Sequence, residues 1–310
     1  MVDRVSLDLK LRLFVPYIIF VALLLVGQLL APGYLSLGLI QSILTIAAPL
    51  GLMAMGETMV LLLGGNELDI SVGDQASCAM ILSALLLQSN PLWLTVLVVI
   101  AQGIVFGALN GFGVRYLRIP PLIMTYITGR ILYGLSIAIT RGTPSGLAPQ
   151  ELINISSFPT ITMIWMVLSV VIVLILAKTV FGRFIYATGD NPVAAYNSGI
   201  PIKLMGVIVY TLSGVLGAIS GVFLLGIFII PAQFGLVSSY SLQAVVAAIL
   251  GGVSAGRGSY IGTIGGVLVL TVLNSFFTIF NIPEAERIML YGITLAIILL
   301  FYGKREKLRK

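Results

Sequence analysis

The stretch Thr160-Ile-Thr-Met-Ile-Trp-Met-Val-Leu-Ser-Val-Val-Ile-Val-Leu-Ile-Leu-Ala-Lys178 carries no charge until its closing lysine. A helix rises about 1.5 Å per residue, so about 20 such residues cross the roughly 30 Å hydrocarbon core of a bilayer. A helix that is apolar on every face belongs inside a large core or a membrane. This stretch therefore reads as a membrane span. Comparable apolar runs occupy residues 13–31, 38–63, 72–89, 92–111, 121–140, 160–179, 204–230, 242–255, 261–281 and 288–302. The expected architecture is an all-α polytopic membrane protein of about ten transmembrane helices, with residues 1–310 forming one membrane domain.

The composition agrees. Hydrophobic residues make up 59% of the 310 and charged residues 9%, against about a quarter charged in a soluble domain. A water-soluble enzyme could not cover its surface with that supply. Disorder is excluded as well, because it needs low hydrophobicity and high charge. Run 13–31 follows Arg4, Lys10 and Arg12 in the manner of a signal peptide. It is long for one and more spans follow, so it is read as a retained first helix.

Lys and Arg outnumber Asp and Glu by 17 to 11. In a soluble protein that surplus would suggest nucleic acid; here topology explains it and no nucleic acid is expected. Arg4, Lys10, Arg12, Arg115, Arg118, Lys178, Arg183, Lys203 and the tail residues Lys304, Arg305, Lys307, Arg309 and Lys310 all fall on one side of a ten-span chain. Cytoplasmic loops collect basic residues, so both termini are expected in the cytoplasm of a bacterial inner membrane. The tail then lies near anionic lipid headgroups, Tyr34 and Trp93 read as interfacial anchors, and 142–158 is an irregular outer loop. Histidine is absent and Cys78 is the one cysteine. An internal disulfide and His/Cys zinc sites are excluded. No Walker A sequence occurs, so the chain has no ATP-hydrolysing motif of its own and is not expected to be an enzyme.

Leu109-Asn110 precedes Ile119-Pro120, and Leu273-Asn274 precedes Ile282-Pro283, at offsets of 164 and 163 residues. Two readings stay open: an inverted repeat of 40–140 against 204–302, or a chance match of four residues.

The segment 180–203 is expected to be a cytoplasmic loop, and it contains a full specification for one short helix. Asn191 suits the N-cap, where its side chain accepts first-turn amides. Pro192 suits the first helical position. Ala194 and Ala195 propagate the helix, Gly199 can end it in the left-handed region, and Pro201 prevents resumption. So short a helix is marginal in water. It either docks a partner, with Ala194 and Ala195 allowing close approach, or packs only on its own membrane domain.

The stretch Tyr186-Ala-Thr-Gly-Asp-Asn-Pro-Val-Ala-Ala-Tyr-Asn-Ser-Gly-Ile200 resembles the coupling segment of the ribose-type permeases of ATP-binding-cassette (ABC) sugar importers. Three more stretches resemble that family in order and spacing: Glu67-Leu-Asp-Ile-Ser-Val-Gly73, Arg118-Ile-Pro-Pro-Leu-Ile-Met-Thr125, and the glycine-rich Ala247–Thr263. The branched-chain amino-acid permeases are more distant relatives. The chain departs from the pattern at Tyr196, where arginine is common, and at Ser241 and Gln243, where an acidic pair is common. The resemblance implies a permease subunit that pairs with a second permease copy or paralogue. It implies an ATPase that uses ATP and Mg and docks on the coupling helix, and an extracytoplasmic binding protein that delivers the solute. This chain itself would bind no cofactor. Carried over to the ATPase contact are Gly189, Asn191, Ala194, Ala195 and Gly199.

Ionisable groups inside spans are expensive and are functional candidates by default. Glu57, Glu67, Asp69, Ser71 and Arg130 are the candidates for a translocation path. Each has a structural alternative. Glu57 could be paired or protonated, Asp69 or Ser71 could cap the following helix, and Arg130 could neutralise Glu57 or Asp69. The expected function is uptake of a monosaccharide or similar polyhydroxylated solute. The rival is an ion-coupled secondary transporter that uses Glu57, Glu67 or Asp69.

Overall fold

The computed structural model describes residues 2–231, 237–283 and 285–293, with side chains from Leu13 onward. Twelve helices are named along these residues: α1 Val2–Leu30, α2 Leu37–Leu62, α3 Val72–Leu86, α4 Leu92–Arg115, α5 Pro121–Thr140, α6 Gln150–Ile155, α7 Thr160–Lys178, α8 Val180–Asp190, α9 Pro192–Asn197, α10 Ile202–Phe228, α11 Ser239–Leu250 and α12 Tyr260–Ile279. Local chemistry sets several of their starts. Ser36 accepts from Leu39 N–H ahead of α2, and Ser259 accepts from Ile261 N–H ahead of α12. Pro121 opens α5 at the position where its missing N–H costs nothing.

Seven of these helices are long and apolar enough to cross a membrane: α1 from Leu13, α2, α4, α5, α7, α10 and α12. The protein is a multi-pass helical membrane protein. The expected count of ten is not reproduced among the described residues. Runs 72–89 and 242–255 fold as α3 and α11, of 15 and 12 residues, or about 22 and 18 Å, short of a full crossing. Run 288–302 is helical through residue 293, and its remainder lies outside the described residues. The 142–158 loop also holds the short helix α6.

Both short helices begin inside the protein. The hydroxyl of Ser241 on α11 accepts the Gly73 N–H of α3 at 2.8 Å, and the Ser238 hydroxyl donates to Asp74. Asp74 is in the first turn of α3, where a negative charge suits the helix dipole. The chain between α2 and α3 is non-helical over 63–71. It turns back alongside α2, because Asp69 reaches Glu57 five residues above the α2 end.

The core centres on α2 and α10. Every residue of α2 from Ala47 to Leu62 is buried. α10 crosses α2, α3 and α4. The α4 contact is set by glycine spaced every four residues. A Cβ on Gly103, Gly107 or Gly111 would meet the α10 backbone, at 2.7 Å from Gly214 O, 2.6 Å from Tyr210 O and 2.5 Å from Val207 Cα. Small residues at this spacing let membrane helices approach backbone to backbone. α1 lies outside against α12, with the Tyr17 hydroxyl on Ile261 O at 2.5 Å. Tyr34 does not project outward as the expected anchor. It is buried against the Phe276 ring, whereas Trp93 is exposed.

Gly107→Val should therefore force α4 off α10, at a cost of roughly 1–3 kcal/mol. Thermal unfolding of detergent-solubilised protein should show a lower midpoint, and Gly134→Val, where a Cβ meets nothing within 4 Å, should not.

Candidate coupling surface and buried polar cluster

α8 and α9 form an angled pair after α7. Thr179 caps α8 by accepting from Gly182 N–H at 3.3 Å, and Gly182 leaves no room for a side chain against the Leu176 carbonyl. α9 has the bounds its residues predict. The Asn191 side-chain oxygen accepts from Val193 and Ala194 N–H at 3.1 and 3.0 Å, and Pro192 follows. Gly199 has φ +81° and lies in open space. Its N–H reaches Tyr196 O, and Ile200 N–H reaches Ala195 O, so the last turn is closed. The residues just upstream, read as loop, are helix α8.

Of the α9 side chains only Ala195 is buried. Val193 and Tyr196 are 68% and 67% exposed, and Ala194 is exposed beside them. This helix spends little of its surface on its own protein.

Its mount is rigid. Gly189 is wedged between the Leu62 carbonyl, at the end of α2, and Gly256 Cα, 2.7 Å from where its Cβ would be. Gly64 meets the Gly189 backbone from the other side. Gly256 N–H donates to Leu61 O at 3.0 Å. The Tyr186 hydroxyl donates to Gly258 O at 3.1 Å, and burial pushes its phenol above the ordinary value, which keeps the donor proton in place. Arg257 and Asp190 make an exposed pair at 3.4 Å, worth little in water. The 251–258 turn also contains Gly252-Val-Ser-Ala-Gly256, a G-x-S-x-G pattern. With no histidine in the chain to activate Ser254, and its backbone closed on Arg257, the turn is a bracket and not a nucleophile elbow.

The second constellation is buried. Glu57, Asp69 and Ser71 are each fully inaccessible. The Glu57 carboxylate accepts Asp69 N–H at 3.2 Å. One Asp69 oxygen accepts the Ser71 N–H and hydroxyl at 3.0 and 2.6 Å; the other accepts the Ser213 hydroxyl of α10 at 2.8 Å. Ser71 Oγ in turn accepts Asn110 Nδ2 from α4 at 2.8 Å and Gln75 Nε2 at 3.1 Å. Ile70 N–H is taken by Thr125 of α5 at 3.3 Å. Asp69 thus braces Ser71, the residue just before α3, but the Ser71 side chain makes no capping bond and Asp69 accepts from Ser71 itself, not from a first-turn amide; Asn110 bonds between helices. Asn274 does the same, donating to Gln243 Oε1 at 3.0 Å.

Glu67 stands apart from this cluster. It pairs with Arg115 at 3.1 Å, with 14% and 12% of the two side chains exposed, and accepts the Tyr210 hydroxyl at 2.7 Å. Arg130 does not neutralise Glu57 or Asp69 as expected. It reaches Asp74 with both carboxylate oxygens within 3.0 Å, because α5 lies on the first turn of α3 and Gly129 leaves the space Asp74 occupies. Its guanidinium also lies 5.5 and 5.2 Å from the Tyr126 and Tyr133 ring centres. Sequence reasoning missed Asp74, Tyr210 and Ser213 in these networks, and counted Arg115 only as a topology charge. A basic residue ending one span and an acid in the glycine-broken turn were the available signal.

The family described as "Branched-chain amino acid transport system / permease component" matches residues 39–299. The chain is similar to "Autoinducer 2 import system permease protein LsrC" from Photorhabdus laumondii, 34% identical over 280 residues, covering 87% of this chain and 83% of that protein. The protein of the same description from Salmonella paratyphi B is 32% identical (87% and 80% covered), and that from Yersinia enterocolitica 34% (88% and 77% covered). No solved structure matches.

Arg115→Met should leave Glu67 as an uncompensated, largely buried charge and cost roughly 3–5 kcal/mol. Adding Glu67→Gln should recover most of that loss, and a double-mutant cycle on thermal unfolding measures the coupling.

Proposed function

Because the chain belongs to the branched-chain amino-acid-type permease family of transport systems, we propose that it is the membrane-spanning subunit of an ABC importer that brings a monosaccharide or similar polyhydroxylated solute into the cytoplasm. The observation that carries the proposal is α9: a capped helix with Val193, Ala194 and Tyr196 exposed, on a glycine-wedged mount touching the end of α2. The relatives' description as autoinducer-2 import permeases supports a small hydroxyl-rich cargo, and autoinducer-2 itself is one candidate.

In this reading the chain has ten membrane helices, counting α3, α11 and the 288–302 run. Both termini and α9 face the cytoplasm of a bacterial inner membrane. The order long, short, long in α2, α3, α4 and again in α10, α11, α12 supports an inverted repeat. A separate ATPase, which uses ATP and Mg, seats on α9 at Ala194, Val193 and Tyr196. Asn191 and Gly199 define the helix ends, and Gly189 and Ala195 anchor it. A second permease subunit completes the pore, and an extracytoplasmic binding protein delivers the solute. ATP binding by the motor moves α9 and, through Gly189, the ends of α2 and of the 251–258 turn. Glu57, Asp69, Ser71 and Arg130 brace the start of α3 beside the path, and Glu67 ties the preceding turn to α4 and α10. A proton- or sodium-coupled carrier using the three carboxylates is disfavoured, since Glu67 already has Arg115 and Asp69 is committed to four hydrogen bonds that hold α3.

Ala194→Arg should bury an unpaired charge under the ATPase and weaken docking by roughly 2 kcal/mol or more, about thirtyfold in affinity. Proteoliposomes holding the permease, ATPase and binding protein should take up autoinducer-2 or a pentose only with ATP, and the variant should insert normally yet lose both uptake and ATPase binding. Ion-gradient-driven uptake by the permease alone would overturn the reading.

A further inference from the structure

The end of α4 and the start of α10 carry two cations that the fold does not neutralise. Lys203 stands in the first turn of α10, which holds no acidic residue and where the helix dipole disfavours a positive charge. Its ammonium lies 5.4 Å from the centre of the Tyr116 ring at the end of α4. Arg118 follows Tyr116 at φ +58°, in the left-handed region where glycine is the easier residue. There Leu117 N–H closes on Phe112 O and Ile119 N–H on Gly113 O. Lys203 and Arg118 are both exposed. Among the described residues neither pairs with a carboxylate. Glu67 and Asp190 are taken by Arg115 and Arg257.

The face of α4 that ends at Tyr116 is apolar and open. Val105, Leu109, Phe112 and Tyr116 recur at the spacing that puts side chains on one side of a helix, and each is 45–53% exposed. The Phe112 and Tyr116 rings stack, with centres 5.2 Å apart and planes 18° apart. α4 is long and apolar enough to cross a membrane. The stripe therefore lies at hydrocarbon depth, and its Tyr116 end lies at the level of the headgroups.

We propose that this place is a site for one anionic glycerophospholipid, with its phosphate held by Lys203 and Arg118 and an acyl chain laid along Val105, Leu109 and Phe112. Two unneutralised cations at one end of an apolar stripe match a molecule with a negative head and a hydrocarbon tail. Basic residues between membrane helices suit such headgroups. A soluble acidic partner would match the cations but could not reach the stripe. Neither the cargo nor the motor enters into this site. Only residues 198–202 separate Lys203 from α9, so the bound lipid steadies the end of that segment that Gly189 does not hold.

Phosphatidylglycerol with a photoreactive diazirine on its acyl chain should label the full chain in detergent along Leu109–Leu117, as read by peptide mass spectrometry. Unlabelled phosphatidylglycerol should suppress the labelling. Phosphatidylcholine and glycerol 3-phosphate at the same concentration should not, which separates a lipid from its headgroup alone. Lys203→Gln or Arg118→Gln should raise the phosphatidylglycerol concentration needed by about fivefold, and the two together by about thirtyfold. Lys203→Arg should keep the unmodified value. Equal suppression by phosphatidylcholine, suppression by glycerol 3-phosphate alone, or an unchanged requirement in the double variant overturns the site. Cross-linking of the segment to a second copy of the chain in place of lipid overturns it as well.

Discussion

Everything in this protein depends on how the non-helical segment 63–71 is satisfied inside a bilayer protein. Gly65 and Asn66 reach the surface, but the peptide groups of Asp69 and Ser71 are buried away from water, where each unsatisfied one would cost several kcal/mol. The chain answers with side chains from four helices. Glu57 of α2 takes Asp69 N–H, Thr125 of α5 takes Ile70 N–H, and Ser213 of α10 and Asn110 of α4 hold Asp69 and Ser71. The carboxylates look wasteful when read as isolated charges. They become economical once seen as acceptors for backbone donors that an unbroken helix would have satisfied itself. The break matters because it lets α3 start within the protein and meet the start of α11 through Gly73 and Ser241.

The same segment ties the membrane core to the surface. Gly64 ends the α2 turn against Gly189 of α8, and Gly256 closes on both Gly189 and Leu61 O. Three glycines from three distant parts of the chain meet backbone to backbone. Such contacts have no rotamers to absorb displacement, and packed interiors transmit strain. A side chain at any of the three would separate α8 from α2, which gives a physical reason for glycine at each.

Much of this was legible in the residues. The apolar run 160–179 became α7 within a residue of its predicted end, because a span is defined by length and hydrophobicity alone. α9 was legible from Asn191, Pro192 and Gly199, since capping is local chemistry. The helix count was not, because hydropathy registers that 72–89 and 242–255 are apolar but not that their last residues, 87–89 and 251–255, leave the helix. Arg130 was assigned to the wrong acid for a related reason. Asp74 meets Arg130 because α3 begins at Val72, and that start is held by the bonds of Ser213 to Asp69 and of Asn110 to Ser71. The Arg115–Glu67–Tyr210 group was invisible as a unit because its members come from three separate segments.

The distribution of rigidity follows from these facts. α2 is buried on all sides through its second half and stands at the meeting of α7, α8, α10, α11 and α12. α9 buries one alanine. A partner pressing on α9 would meet a helix that yields little to its own protein, yet is joined within two residues to Gly189. Load applied at Val193 and Tyr196 would therefore pass to the α2 end and, through Gly256 and Val253, to the turn joining α11 and α12. Soft surface and stiff mount together would pass a load on α9 to the helix ends that Gly189 touches. A helix buried on its own domain could not do so, because its own packing would resist the load before those helix ends felt it.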